Sequence, residues 1–360
     1  MENADKVYVN LQKHLDKQAV GFPATKSGVE LRILEQLFTP DQASLALNLS
    51  YEPKSALDIF NEVKRTGISF DKVKSLLEEM EINGVILSTI KNGIEHYLTV
   101  PLLVGMLELH ANRATAQFMA DFREYVSGEF DKAFTSTKIS QMRTIPVEKS
   151  ISAENYVTTY DHIREIIHST DGPIAVSSCM CREGAKGRGQ PCHVTSRLET
   201  CMCFGDWARH FMKLGLSREI TREEALGIVR QNEADGLVLQ PNNYQKIDFV
   251  CSCCGCCCGI LKRLKMLPKP AENWAHNFYT VVDLEMCTGC GICMEKCQMN
   301  AIEIDEQGEY AVINLDRCIG CGNCVASCSS EALTLVKKER EAIPPKDSSS
   351  LYKILAERKH

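Results

Sequence analysis

The chain has 360 residues, enough for two or three domains of ordinary size. Its 41 Lys and Arg against 47 Asp and Glu give a net charge of −6, which argues against a general nucleic-acid binder, while 44% hydrophobic and 24% charged residues exclude wholesale disorder. The abnormal quantity is 19 cysteines, none before position 179 and all within 179–328.

Residues 1–26 read as a polar lead-in with one short helix. Ser27 and Glu30 have the spacing of a capping box, and the helix after them carries Leu31, Leu34 and Leu37 on one face. Thr39-Pro40 opens a second helix, a third covers about 54–65, and a fourth runs from Ser69 to Asn83-Gly84 with Val73, Leu76, Leu77 and Met80 inward. Strand-like runs at 85–90 and 94–100 flank Lys91-Asn92-Gly93, a hairpin turn. Helices followed by a hairpin resemble a winged-helix domain, a fold whose last helix often reads DNA. Here that helix carries Asp71, Glu78, Glu79 and Glu81 against Lys72 and Lys74, and residues 1–100 hold 11 basic and 14 acidic side chains. Acidic faces repel phosphate, so a structural or docking role is expected.

Pro101 opens a long helical stretch to about Val126. Residues 140–151 read as strand, 160–169 as helix and 174–178 as a strand running into Cys179. A helix at about 221–234 precedes strands at 237–240 and 247–250, the latter running into Cys251. The most apolar stretch, Tyr97 to Leu109, has 13 residues and contains Glu108, against about 18 needed to cross a membrane. The N-terminus has no run suited to a signal peptide. A cytoplasmic protein without membrane insertion is expected, and clustered cysteines there are metal ligands or redox groups more often than disulfides.

Cys287, Cys290, Cys293 and Cys297 follow the spacing C-x2-C-x2-C-x3-C. After 20 residues Cys318, Cys321, Cys324 and Cys328 repeat it, within MCTGCGICMEKC and RCIGCGNCVASC. This duplicated run resembles the bacterial two-cluster ferredoxin domain over about 60 residues. The resemblance implies two [4Fe–4S] clusters with exchanged fourth ligands. One takes Cys287, Cys290, Cys293 and Cys328; the other takes Cys318, Cys321, Cys324 and Cys297. Where that family usually has proline after each fourth cysteine, this chain has Gln298 and Ser329.

Eleven cysteines remain. The first group is Cys179, Cys181, Cys192, Cys201 and Cys203; the second is CSCCGCCC, with Cys251, Cys253, Cys254, Cys256, Cys257 and Cys258. Six cysteines in eight residues cannot all bind one metal, because adjacent side chains diverge. If the run is helical, Cys253, Cys256 and Cys257 share one face and Cys254 and Cys258 another. Each group follows an apolar strand, so two neighbouring strands would bring the groups together. The expectation is at least one further Fe–S cluster, its ligands drawn from Cys179, Cys181, Cys192, Cys201, Cys253, Cys254, Cys256 and Cys257. Structural zinc, reduced thiols and a thiol–disulfide site are alternatives. The Cys-Cys-Gly pairs also resemble the repeats of heterodisulfide-reductase-type subunits. The stretch Gly184–Gly189 reads as a mobile loop over this site, and His193 as a possible ligand.

The whole chain resembles a family of anaerobic 4Fe–4S proteins with a winged-helix-like front, a CxC…C…CxC middle, a CCxCCC run and a C-terminal dicluster ferredoxin. The expected architecture is α+β multidomain: a winged-helix-like domain at 1–100, an α/β cysteine-rich domain at 101–270, a ferredoxin domain at 271–340, and a linker with a short helix at 341–360. The resemblance implies an electron carrier that serves redox partner proteins and does not bind nucleic acid. A reductase acting at the middle cysteines is the alternative, and a redox-sensing regulator the third. Oligomeric state is left open.

Overall fold

Polar side chains that can take free amide protons mark most helix starts in the front of the chain. The computed structural model describes residues 2–151 and 157–359. After α1 (Glu2–Lys17) and α2 (Val29–Leu37), Thr39 and Gln42 form a reciprocal capping box at the start of α3 (Pro40–Ala46). Ser55, in the two-residue β1 (Lys54–Ser55), does the same with Asp58 for α4 (Ala56–Val63). Ser69 caps α5 (Phe70–Ile82), which buries Val73, Leu76, Leu77 and Met80. Then β2 (Ile86–Lys91) pairs with β3 (Ile94–Thr99) across a turn in which Asn92 and Gly93 both have positive φ, and β3 also pairs with β1.

Two readings of this region differ from the structure. Ser27 does not cap α2; Gly28 holds the cap position, the Ser27 hydroxyl donates to Glu124, and Glu30 accepts from Thr25. The stretch after Pro101 is not one helix. An irregular turn (Leu102–Met106) and the three-residue α6 (Leu107–Leu109) precede α7 (Ala116–Val126), which is capped by Thr115, and α8 (Glu129–Ser136). The Glu108 carboxylate takes the Gly105 amide proton at 2.8 Å, so a local side-chain bond competes with the helical ladder.

The chain divides into two compact units: Met1–Thr137 with His210–Leu216 and Ser348–His360, and Lys138–Arg209 with Ser217–Asp347. In the second, β4 (Arg143–Thr144) and α9 (Ile163–Ser169) precede β5 (Ile174–Ser178) and α10 (Met180–Gly187). They are followed by β6 (Glu199–Phe204), α11 (Gly205–Lys213), β7 (Ser217–Ile220), α12 (Arg222–Ala234), β8 (Val238–Pro241), β9 (Phe249–Cys253) and α13 (Gly259–Met266). The sheet order is β7-β5-β6-β9-β8. Every pairing in this sheet is antiparallel, so helix and strand mix in the cysteine-rich region without parallel β-α-β units. Segment 184–189 is mostly the end of α10 rather than a loop.

Strand alternation sorts this sheet. Val176, Met202, Phe204 and Val250 pack with Ile163, Ile167, Ala225 and Val229 of α9 and α12 in one core. By the two-residue period, Cys201, Cys203, Cys251 and Cys253 stand on the opposite face. The C-terminal part of the unit contains β10 (Ala275–His276), which pairs with β4, and β11 (Phe278–Val282), which pairs with β14 (Leu333–Lys337). Between them lie α14 (Ile292–Lys296), the β12 (Ile302–Ile304)–β13 (Ala311–Ile313) hairpin and α15 (Asn323–Ala326). The last helix, α16 (Ser348–Lys359), belongs to the first unit, where Tyr352 stacks on Tyr51 at 4.2 Å.

Glu81 in α5 is a buried carboxylate of the first unit. It accepts from Ser88 Oγ at 2.7 Å and Lys213 Nζ at 2.6 Å and lies 3.1 Å from His210 Nδ1. Burial pushes its pKa up, but these partners outweigh that and bring it from 4.5 to about 2. Because the folded value is the lower one, the stabilisation is present above 4.5 and is lost as pH falls towards 2. Glu81→Gln is expected to lower the free energy of unfolding by about 2–3 kcal/mol at pH 7. Denaturant titrations of both proteins check this, and the difference should narrow as the pH drops below 4.5.

Candidate metal centres

The two repeated loops curl tightly enough to require glycine. Gly320 has φ +66°, and a Cβ there would stand 2.1 Å from the Phe278 carbonyl oxygen. The loop is thus pressed onto β11, and Cys318, Cys321 and Cys324 point into one cavity. Cys297, at the end of the first repeat, lines the same cavity with Thr280, Ile302, Ile313 and Ile319. Cys287, Cys290 and Cys293 face one another at the other end, and Cys328 shares a small core with Cys287 and Cys293.

The walls suit a cationic guest. Burial pushes the Cys321 thiol well up and the Cys324 thiol to about 12, so both are protonated unless a positive centre offsets the lost hydration. Polar groups already aim at the sulfurs: the Ala301 amide donates to Cys297 Sγ at 3.2 Å, the Ala311 amide to Cys287 Sγ at 3.4 Å, and the Thr280 hydroxyl lies 3.4 Å from Cys324 Sγ. Such bonds stabilise anionic sulfur and tune the potential of a bound cluster.

In the middle region, CSCCGCCC is not helical. Strand β9 ends at Cys253, a turn follows, and α13 begins at Gly259. The two helical faces expected for the run therefore do not exist. The strand and the turn send their thiols to different places. Cys192, in the loop after α10, meets Cys254, Cys256 and Cys257 from the turn, and all four sulfurs lie within 4.8 Å of one another. Cys192 Sγ is 3.5 Å from the sulfurs of both Cys254 and Cys256, and Cys256 Sγ is 3.6 Å from Cys257 Sγ. A tetrahedral ion with metal–sulfur bonds near 2.3 Å spaces its four sulfurs about 3.8 Å apart. The tetrad thus has the dimensions of a single-ion site. The His193 side chain is exposed and outside the tetrad, but its backbone bonds the Cys256 thiol.

The remaining thiols gather elsewhere. Cys179 contacts Cys181 and Cys201, Cys201 contacts Cys251, Cys251 contacts Cys253, and Cys253 and Cys181 both contact Cys258. The strands that supply the two groups are not neighbours, since β6 lies between β5 and β9. It bridges them by contributing Cys201, one register step beyond the Met202–Val250 pair. Cys251 and Cys258 were not among the expected ligands; the Cys251-x-Cys253 alternation was the signal for the first. Cys203 is buried beside Ser177 and outside both groups, its thiol pushed up to about 12 by burial.

The two cysteine regions abut. Gln298, in the position of the usual ferredoxin proline, accepts the Gly255 amide proton on its side-chain oxygen at 2.7 Å. Lys265 Nζ donates to the Gly255 carbonyl at 2.7 Å, and a Cβ at Gly255 would stand 2.4 Å from the Gln298 backbone oxygen. Glycine between Cys254 and Cys256 is what permits this approach, and proline at 298 would remove the acceptor. A cleft in the same unit is lined by Tyr160, Asp206, Arg209, Lys246 and Asp248 among others, and by no cysteine.

Residues 286–332 match the family model of the 4Fe-4S dicluster domain. No curated protein and no solved structure matches the chain. The chain therefore carries a C-terminal ferredoxin-type domain and, ahead of it, a separate cysteine-rich region with a thiol cluster fit for a metal. No helix among the described residues is long and apolar enough to cross a membrane.

Gln298→Ala leaves the buried Gly255 amide unpaired, which should cost about 1–3 kcal/mol. Gly255→Ala should cost more, since backbone must move. Denaturant unfolding measures both, with iron content as the control for an intact ferredoxin domain.

Proposed function

We propose that this protein is an iron–sulfur electron carrier whose ferredoxin domain holds two [4Fe–4S] clusters and whose middle domain adds metal of its own. One observation carries the reading: Cys297 lines a single cavity with Cys318, Cys321 and Cys324, a duplicated spacing with its fourth ligand exchanged. In this reading Cys287, Cys290, Cys293 and Cys328 hold the other cluster. A bound [4Fe–4S] cluster supplies one-electron chemistry, with a potential set by the protein around it. The chain's own residues exclude water from the cavity, through Ile302, Ile313 and Ile319, and offer amide and hydroxyl protons to sulfur.

The Cys192, Cys254, Cys256 and Cys257 tetrad takes one zinc or iron ion. The Gly255–Gln298 contact holds it against the ferredoxin domain. Redox proteins of the cytoplasm in anaerobic metabolism are the proposed partners.

Cys297→Ala in the full chain, purified without oxygen, is expected to lose about four irons and the signal of the cluster at Cys318, Cys321 and Cys324, with the other cluster retained. Cys328→Ala should give the opposite loss. Electron paramagnetic resonance with iron and sulfide counts reads the outcome, and loss of the wrong cluster overturns the exchange.

The front is proposed to serve docking rather than DNA binding. On α5, Asp71, Glu78 and Glu79 stand exposed against Lys72 and Lys74, while Glu81 is buried. The full chain should show no salt-sensitive retention of duplex DNA at low ionic strength; tight retention that falls steeply with salt would reverse this reading.

A further inference from the structure

The six middle-domain thiols outside the tetrad form a closed circuit. Passing from Cys179 to Cys181, Cys258, Cys253, Cys251, Cys201 and back to Cys179, each thiol is a near neighbour of the next, and the sheet register sets Cys201 beside Cys251 on the face away from the core. Five elements build it: the end of β5, α10, the paired β6 and β9, and the start of α13. None of these contacts involves Cys192, Cys254, Cys256 or Cys257. Chance burial of hydrophobic cysteines does not account for a ring in which every thiol meets two others.

The surroundings are arranged for negative sulfur. Arg182 is buried at 2% exposure, yet its hydrogen bonds go to the carbonyls of Arg197 and Ser252, to the Thr200 hydroxyl and to the Cys254 thiol of the tetrad, none of them a carboxylate. The groups whose charge it faces are Cys179 and Cys201 of the ring and Cys254 of the tetrad. A buried guanidinium without a carboxylate on its hydrogen bonds is stable beside thiolates and costly beside neutral thiols. Cys258 stands at the N-cap of α13, where the amides of Ile260 and Leu261 donate to its sulfur. Arg182 thus lends positive charge to Cys179 and Cys201 while bonding Cys254, and the α13 amides serve Cys258.

Ring and tetrad differ in width. Among the described residues, the tetrad alone brings three or more sulfurs mutually within 4.8 Å. The ring thiols neighbour one another in sequence around the circuit, and no three of them lie mutually within 4.8 Å. A single tetrahedral ion accepts four sulfurs about 3.8 Å apart and would leave two of the six unused. The ferredoxin thiols, likewise, do not converge as the tetrad does, as suits a cage that puts several irons between its ligands.

We propose that Cys179, Cys181, Cys201, Cys251, Cys253 and Cys258 form a metal centre of their own that holds a polynuclear iron–sulfur cluster. The proposal rests on the reading of the middle domain as metal-binding, and adds its ligand set and the separation of two sites within it. Cys251 and Cys258 become ligands, and Cys203 stands outside.

The test is metal and acid-labile sulfide analysis of the full chain purified without oxygen, with four variants. The intact protein should contain more than the about eight irons and eight sulfides of the ferredoxin domain. Cys253→Ser and Cys258→Ser should each remove at least two irons with matching sulfide and leave one tightly bound metal ion in place. Cys256→Ser should remove that one ion and no sulfide, and Cys203→Ser should change neither count. An intact protein with only the ferredoxin iron and sulfide, or one whose ring variants lose zinc without sulfide, overturns the cluster. Loss of the single ion in the ring variants with sulfide unchanged overturns the separation of the two sites. If a ring variant fails to fold, the counts on the intact protein still decide. A metal-free middle domain beside an intact ferredoxin would refute the metal-binding reading itself.

Discussion

A thiolate removed from water needs a positive charge beside it, and this protein removes many thiols from water. Burial alone raises the thiols of Cys203, Cys321 and Cys324 far above the neutral range. Buried cysteines that form no disulfides are either scattered as small apolar residues or grouped with other thiols. Here they are grouped, and one group is fit for a metal. Amides, a hydroxyl and the buried Arg182 all point at sulfur, which would be poor partners for neutral thiols.

Strand alternation makes the grouping possible. In the five-stranded antiparallel sheet, Met202, Phe204 and Val250 face the core under α9 and α12. The intervening Cys201, Cys203, Cys251 and Cys253 are carried to the other face without any cost to that core. The end of β9 then divides the cysteine run. Up to Cys253 the chain is strand, and Cys251 meets Cys201 of β6. From Cys254 to Cys257 the chain turns and its thiols meet Cys192, while Cys258, at the start of α13, returns to Cys181 and Cys253. One contiguous sequence supplies two spatially separate groups because the backbone changes conformation within it.

The same turn carries the contact with the ferredoxin domain. Gly255 lies between two tetrad cysteines, and Gln298 follows a cysteine of the cavity that also holds Cys318, Cys321 and Cys324. Their hydrogen bond therefore links the turn of the tetrad to the residue that follows Cys297. Asn323 Nδ2 also donates to the Gly236 carbonyl at 2.9 Å, and the Val147 amide donates to the Cys321 carbonyl at 3.0 Å. Departures from the usual ferredoxin proline thus have a structural purpose: a proline offers no side-chain oxygen for the Gly255 amide.

Local signals in the sequence determined local structure. Ser69, Thr39 and Asn92-Gly93 mark helix starts and a turn because their effects act over three or four residues, and the duplicated cysteine spacing marks the ferredoxin loops for the same reason. Ser27 failed as a cap because its hydroxyl is claimed by Glu124, nearly a hundred positions away, and the stretch after Pro101 failed as a helix because Glu108 takes the Gly105 amide. The division of the eleven middle cysteines was decided only by tertiary structure. Which thiols meet depends on the register of β6 against β9, on β6 lying between β5 and β9, and on the loop that returns Cys192 to the turn. Those are long-range pairings, and no spacing along the chain encodes them.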